Sequence, residues 1–204
     1  VSATRILLAS RNPKKLAELR RILAPALPDV EVVGLDDVDR YDEVPETGAT
    51  FAENALIKAR EGHRRTGLPT VADDSGLLVD ALNGMPGVFS ARWAGSHGDD
   101  EANLRLVLDQ LSDVPDERLG AAFACAVAYV DDAGEILTDG RMPGRLVRAK
   151  RGSNGFGYDP IFVPHGHTRT SAELSVDEKD AISHRGQALR ALAQRLAERQ
   201  RPSR

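Results

Sequence analysis

The sequence predicts one domain over residues 1–204, α/β or α+β, around a mixed sheet. Three observations carry that prediction. Short apolar runs alternate with stretches whose apolar residues recur at helical spacing, the pattern of strand-to-helix crossovers. One pair of runs, Ala121–Val130 and Glu135–Leu137, is instead joined by Asp131-Asp132-Ala133-Gly134, which signals a hairpin and hence antiparallel pairing. The length of 204 residues suits one core, because a domain takes roughly 100–200 residues.

Each element can be justified in turn. Ile6-Leu7-Leu8-Ala9 reads as the first strand, and Leu16, Leu19, Ile22 and Leu23 follow at helical spacing. Asn12 is suited to the N-cap and Pro13 to the first helical position, so that helix opens at the mouth of the preceding loop. Val30, Val32 and Val33 form a second strand, and the acidic stretch Asp36 to Glu46, poor in apolar residues, reads as a surface loop. Thr50 and Glu53 have capping-box spacing ahead of a helix through Ala55, Leu56, Lys58 and Ala59 that ends near Gly67. Thr70-Val71-Ala72 is expected as a short strand that stops at Asp73-Asp74-Ser75-Gly76, with Leu77-Leu78-Val79 as a separate extended piece. Residues from Glu101 to Leu111 form a helix, Gly152 to Gly157 a glycine-rich loop, and Ile161-Phe162-Val163 a strand. A last helix bears Leu189, Leu192 and Leu196, and beyond about Glu198 the tail is polar and expected to fray.

Composition excludes several classes. The hydrophobic fraction of 41% and charged fraction of 28% are those of a globular chain. A net charge of −4 argues against broad nucleic-acid binding, so any anionic ligand must meet locally placed cations. The single cysteine, Cys125, lies in an apolar run; it can form neither an internal disulfide nor a zinc cluster, and core packing accounts for it. No run of about 18 apolar residues and no secretory pattern is present, so a cytoplasmic location and no membrane partner are expected.

Five segments carry chemistry. Ser10-Arg11-Asn12-Pro13-Lys14-Lys15 sets a hydroxyl, an amide and cations where a helix opens, a place that favours phosphate, although local chemistry alone favours a helix cap with solvated lysines. It lacks the glycines of a Walker A loop. Asp73 and Asp74 are expected at a strand end, where neighbouring side chains take opposite faces and only one can enter a given site; Asp74 is the choice. A dehalogenase-type nucleophile would need an Asp-x-Asp arrangement, which is not there. Glu46, ahead of the capped helix, offers a second carboxylate, and magnesium takes one or two carboxylates together with phosphate oxygens. Glu53 is left to its capping role. Gly155-Phe156-Gly157-Tyr158-Asp159-Pro160 can lay a ring against a base, or simply form a tight turn. Lys179 and Ser183-His184-Arg185 bring donors to the start of the last helix.

Taken in order, these segments resemble the inosine triphosphate pyrophosphatase family of house-cleaning nucleotide hydrolases. The similarity runs through Ser10-x-Asn12-x-x-Lys15, Glu46-Thr47-Gly48, Phe51-x-Glu53-Asn54-Ala55-x-x-Lys58-Ala59 and Ala72-Asp73-Asp74-Ser75-Gly76-Leu77. It continues through Pro86-Gly87, Ser90-Ala91-Arg92, Gly155–Pro160 and Ile182-Ser183-His184-Arg185. Trp93 stands where the family more often has Tyr, and Asp180 where it has Asn; neither position has a proposed catalytic role.

The resemblance implies an elongated α/β fold, a mixed sheet with helices on its faces, a central cleft between two lobes, and a homodimer. It implies magnesium-dependent hydrolysis of non-standard purine nucleoside triphosphates (ITP, dITP, XTP) to the monophosphate and pyrophosphate. Asp74 would bind magnesium and activate water, with Glu46 as the other metal ligand. Ser10, Asn12, Lys15 and Lys58 would neutralise the triphosphate, and Arg11, Pro13, Lys14 and Ser75 would line its site. Phe156, with Gly157, Tyr158 and Asp159, would take the purine face, and Lys179, His184 and Arg185 its edge. The septum-formation (Maf) pyrophosphatases share a Leu-Ala-Ser opening like Leu8-Ala9-Ser10, but usually continue Pro-Arg-Arg and lack the Ser183-His184-Arg185 close. A non-catalytic nucleotide-binding module is disfavoured by the joint presence of Asp74, Glu46 and Lys15.

Overall fold

A computed structural model describes residues 4–42 and 44–199 of the chain. In order, the elements are β1 (Thr4–Leu8), α1 (Pro13–Leu23), β2 (Val30–Val33), α2 (Phe51–Thr66), β3 (Thr70–Val79) and β4 (Met85–Pro86). They continue with α3 (Asp100–Gln110), β5 (Gly120–Asp131), β6 (Gly134–Leu146), β7 (Phe162–Pro164), α4 (Val176–Ile182) and α5 (His184–Arg199). The strands make one sheet in the order β2-β1-β3-β5-β6-β7, with β4 also on β3. Pairing is parallel from β1 to β2 and β3, and antiparallel from β3 to β4 and from β6 to β7, so the sheet is mixed as predicted.

The chain forms two compact units. The first takes the described residues through Asp74, Cys125–Gly140 and those from Arg185 on; the second takes Ser75–Ala124 and Arg141–His184.

In the first unit the period of two along the strands sorts the core into two faces. Val71, Cys125, Val127 and Tyr129 pack with Leu19 and Leu23 of α1 and with Leu189, Leu192 and Leu196 of α5. Their sequence neighbours Ala72, Ala126, Ala128 and Val130 pack with Ala55 and Ala59 of α2. Both helices that enter this unit early start where the sequence says. The Asn12 side chain accepts from the backbone N–H of Lys14 and Lys15 with Pro13 in the first turn, and Thr50 and Glu53 form a reciprocal capping box. Gly67 ends α2 in the left-handed region at φ 69°, as its position predicts. Cys125 is buried and reduced, and burial pushes its thiol up to about 12, consistent with a packing role.

The second unit closes around Leu77, Val79, Leu104, Val107, Leu111, Phe123, Leu146, Ile161 and Phe162.

Three expectations need correction, and the surface loop gains one short turn. Asp73 to Gly76 is not a turn between two pieces; β3 runs unbroken through it, so the acidic pair sits mid-strand. Asp73 and Asp74 find partners in Arg185 and Asn54 while the strand continues, and Gly76 sits where a Cβ would stand 2.4 Å from the Gly87 carbonyl oxygen and the Ser90 hydroxyl, so close packing accounts for this glycine without a turn. Strand β6 extends well past Leu137, to Leu146; Ile136, Thr138, Gly140 and Met142 alternate inward, a period hidden in the sequence by glycine and threonine. Lys179 lies on a separate helix, α4, capped by Ser175 and Glu178, and the last helix begins only at His184. The acidic stretch opens with a 3-10 turn at Leu35–Asp37; past it no described residue up to Glu46 lies in a helix or strand, and Glu43 is outside the described residues. The polar tail, from residue 200 on, is also outside them.

Candidate active site

The alternation that sorts the first unit's core continues into its charged residues. Asp73 follows Val71 onto the face of α1 and α5, and Asp74 follows Ala72 onto the face of α2. Asp73 receives the Lys15 ammonium at 2.8 Å and the Arg185 Nε at 3.0 Å. Arg185 also lies 3.7 Å from Glu18, one helical turn beyond Lys15 on α1. Burial alone would raise the Asp73 carboxyl; the charges of Lys15, Arg185 and Lys58 reverse that and hold it well below the carboxylate range. For Arg185, burial opposes the charge, but Asp73 and Glu18 hold it protonated more firmly still.

Asp74, also buried, accepts a hydrogen bond from the Asn54 amide nitrogen at 2.9 Å. One turn further along α2, the Lys58 ammonium meets Glu46 at 2.6 Å. Burial would lower the Lys58 ammonium, yet its pKa is raised because Asp73, Glu46 and Asp74 all lie within its electrostatic reach. Three carboxylates thus gather near one lysine. Ser10 and Asn12 occupy the approach to α1: the Ser10 hydroxyl accepts from the Asn12 N–H at 3.2 Å, while Arg11, Pro13 and Lys14 are exposed.

The donor set suits a hard cation. Glu46 and Asp74 supply oxygen only, and among the described residues no group of three His, Cys, Asp or Glu is assembled as a metal cage. Magnesium is the cation that manages with one or two carboxylates, filling its octahedron with water and phosphate oxygens.

The second unit organises the residues expected at a base. The buried Asp159 carboxylate accepts from the Phe156 N–H at 2.9 Å and from the Lys179 ammonium at 2.5 Å. The Phe156 ring is 45% exposed, with the Lys179 ammonium 5.5 Å from its centre. Gly157 donates its N–H to Asp100 at 2.8 Å, and the buried Tyr158 hydroxyl donates to the Ser90 carbonyl. His184 is buried and stacks on Phe123, ring centres 5.1 Å apart. Ser75 is half-buried in β3.

The structure therefore joins Lys15, Lys58, Glu46, Asp74 and Arg185 through one ionic network in the first unit, and Phe156, Asp159 and Lys179 in the second. Lys179, His184 and Arg185, expected to act as one group, each have separate partners: Asp159, the Phe123 ring, and Asp73 with Glu18. Sequence reasoning passed over Asp73, Glu18 and Asn54. Their signals were present: Glu18 is three residues past Lys15, Asn54 four before Lys58, and Asp73 takes the strand face opposite Asp74.

A mixed sheet with two buried carboxylates and two lysines gathered around one strand defines an α/β protein with a buried ionic network on that strand. More specifically, the chain belongs to the Ham1 family, whose model matches residues 6–195. A dITP/XTP pyrophosphatase of Mycobacteroides abscessus is 64% identical over 190 residues, covering 92% of each chain. Its namesake in Nocardia farcinica is 62% identical over 199 residues, covering 97% of each. A HAM1 protein of Coxiella burnetii, of known structure, superposes with a TM-score of 0.88 at 44% identity over 96% of this chain and 99% of that one.

Proposed function

We propose that the protein hydrolyses ITP, dITP and XTP to the nucleoside monophosphate and pyrophosphate, in a magnesium-dependent reaction. The observation that carries this reading is the buried Asp74 carboxylate within electrostatic reach of Lys58, whose ammonium pairs with Glu46, in a chain 64% identical to a dITP/XTP pyrophosphatase.

Asp74 is the group that takes a proton from the attacking water as its oxygen bonds to the α-phosphorus and the bond to the departing pyrophosphate breaks. Glu46 and Asp74 would hold the magnesium ion, which when bound would supply charge neutralisation at the phosphate oxygens and a lowered pKa for water. Lys15 and Lys58 stand ready as cations for the triphosphate, and Asp73 keeps Lys15 at the loop of Ser10 and Asn12. Arg11, Pro13, Lys14 and Ser75 are assigned to the same anion. Phe156, with Gly157, Tyr158 and Asp159, is assigned to the purine face, and Lys179, His184 and Arg185 to its edge. Lys179 and Arg185 offer only donors and His184 can offer one, which suits a 6-oxo purine better than the amino group of adenine. Among the described residues no helix is long and apolar enough to cross a membrane. The proposal includes a homodimer acting in the cytoplasm, and light scattering on the purified chain tests the dimer.

The test is a magnesium titration of pyrophosphate release by the wild type, Asp74→Asn and Glu46→Gln. The reading requires near-complete loss in the first variant and a raised magnesium requirement with an unchanged substrate preference in the second. Full activity without divalent metal, or an unshifted titration in Glu46→Gln, overturns the metal assignment.

A further inference from the structure

Asn54 has no assigned part in the reaction, yet it is fully buried and both ends of its amide are engaged. Its Oδ1 accepts the Gly48 backbone N–H at 2.8 Å, and its Nδ2 donates to Asp74 at 2.9 Å. The chemistry of the partners fixes this orientation. A backbone N–H can only donate, so the oxygen must face Gly48 and the nitrogen must face the carboxylate.

Gly48 is seated so tightly on the first turn of α2 that a Cβ would stand 2.6 Å from the Glu53 Cβ and 2.8 Å from the Asn54 Oδ1. Glu53 fastens the next two residues, accepting from the N–H of Ala49 at 2.6 Å and of Thr50 at 3.1 Å. Four residues after Asn54, on the same helical face, Lys58 holds Glu46 at 2.6 Å. Helix α2 thus fixes the segment from Glu46 to Thr50 and reaches Asp74 through the Asn54 amide.

We infer that Asn54 is a positioning residue that fixes the plane of the Asp74 carboxylate relative to the Glu46–Gly48 segment, so that the two carboxylates are set as one body. If the segment shifts, the amide must either lose Gly48 or turn away from Asp74. A buried polar residue with a purely structural role would stabilise the fold without coupling these two partners.

The inference rests on Asp74 being the working carboxylate, so Asp74→Asn is measured alongside. Asn54→Ser removes both hydrogen bonds without adding charge. It is expected to lower kcat about 10²-fold, the effect of a misplacement of about 1 Å, while KM for ITP stays within about threefold and the circular dichroism spectrum is unchanged. Asn54→Asp keeps an acceptor for Gly48 but sets a second carboxylate against Asp74, and kcat should fall at least as far. The readout independent of turnover is hydrogen exchange of the Gly48 amide: it should quicken at least about tenfold in Asp74→Ala, because loss of the carboxylate frees the Asn54 amide to leave Gly48. That measurement stands even if the Asn54 variants fail to fold.

A folded Asn54→Ser with kcat within about twofold of wild type, or Gly48 exchange unmoved in Asp74→Ala, overturns the inference. Activity retained in Asp74→Asn overturns instead the assignment of Asp74, which separates the two failures.

Discussion

Two adjacent aspartates on one strand have different work because a strand turns neighbours to opposite faces. Asp74 meets an amide and lies near Lys58, whereas Asp73 is consumed by Lys15 and Arg185. Asp74→Asn should therefore lower kcat by about 10²–10⁴-fold with the fold retained, since it removes basicity and charge but not shape; retention of more than about a tenth of kcat would assign the base elsewhere. Asp73→Asn should act on stability. Breaking one partner out of a buried pair costs about 3–5 kcal/mol, read as a lower urea midpoint. The Asp73 carboxyl is held below its unfolded value of about 3.9, so its contribution is complete above about pH 4 and is lost as pH falls below that toward the depressed folded value. The stability gap between wild type and Asp73→Asn should accordingly be constant from pH 7 to about pH 5 and shrink in stronger acid. At the base, Lys179→Met should lower kcat/KM for ITP more than for ATP, because at position 6 hypoxanthine offers the ammonium an acceptor oxygen where adenine presents an amino donor. Equal losses on the two substrates would make Lys179 a holder of Asp159 and the Phe156 loop only.

At the scale of elements, helix α2 is the part that most directly sets the site, since Asn54 and Lys58 are successive turns of one face. Gly48→Ala should push the Glu46 segment off the first turn, given the 2.6 Å approach of a Cβ to Glu53. Its expected marks are a raised magnesium requirement and a lower kcat, measured by pyrophosphate release; unaltered kinetics would mean that the segment yields without moving Glu46. The starts of α1 and α2 were legible because caps are local: Asn12-Pro13 and Thr50-x-x-Glu53 need only their own neighbours. The continuity of β3 was not, because what lets Asp73 remain in a strand is Arg185, separated by 112 residues, and propensity alone reads Asp-Asp-Ser-Gly as a turn. Helix α4 was missed although Ser175 and Glu178 carry capping-box spacing. With only seven residues it offers too few turns for an apolar period to show.

Over the whole molecule, a net charge of −4 coexists with a cluster that gathers Lys15, Lys58 and Arg185 in one network with four carboxylates, Asp73, Asp74, Glu46 and Glu18. Attraction for a nucleotide is therefore local, as composition alone requires. The order of the segments nominated the candidate site residues, and the structure joins Lys15, Lys58, Glu46, Asp74 and Arg185 of them in one network. Their partners were not legible, because ion pairs such as Lys15 with Asp73 join elements far apart in the chain. The proposed division of labour is concrete: cations for phosphates, two carboxylates for magnesium and water, and donors for a 6-oxo base. The measurement that tests it most directly is kcat/KM for ITP and for ATP under saturating magnesium, with the products resolved into pyrophosphate and orthophosphate. The account predicts stoichiometric pyrophosphate and monophosphate from ITP, and a preference over ATP of at least about 10²-fold, since each donor left unpaired against adenine costs about 1–3 kcal/mol. Orthophosphate as the product, or ATP turned over as well as ITP, would contradict it.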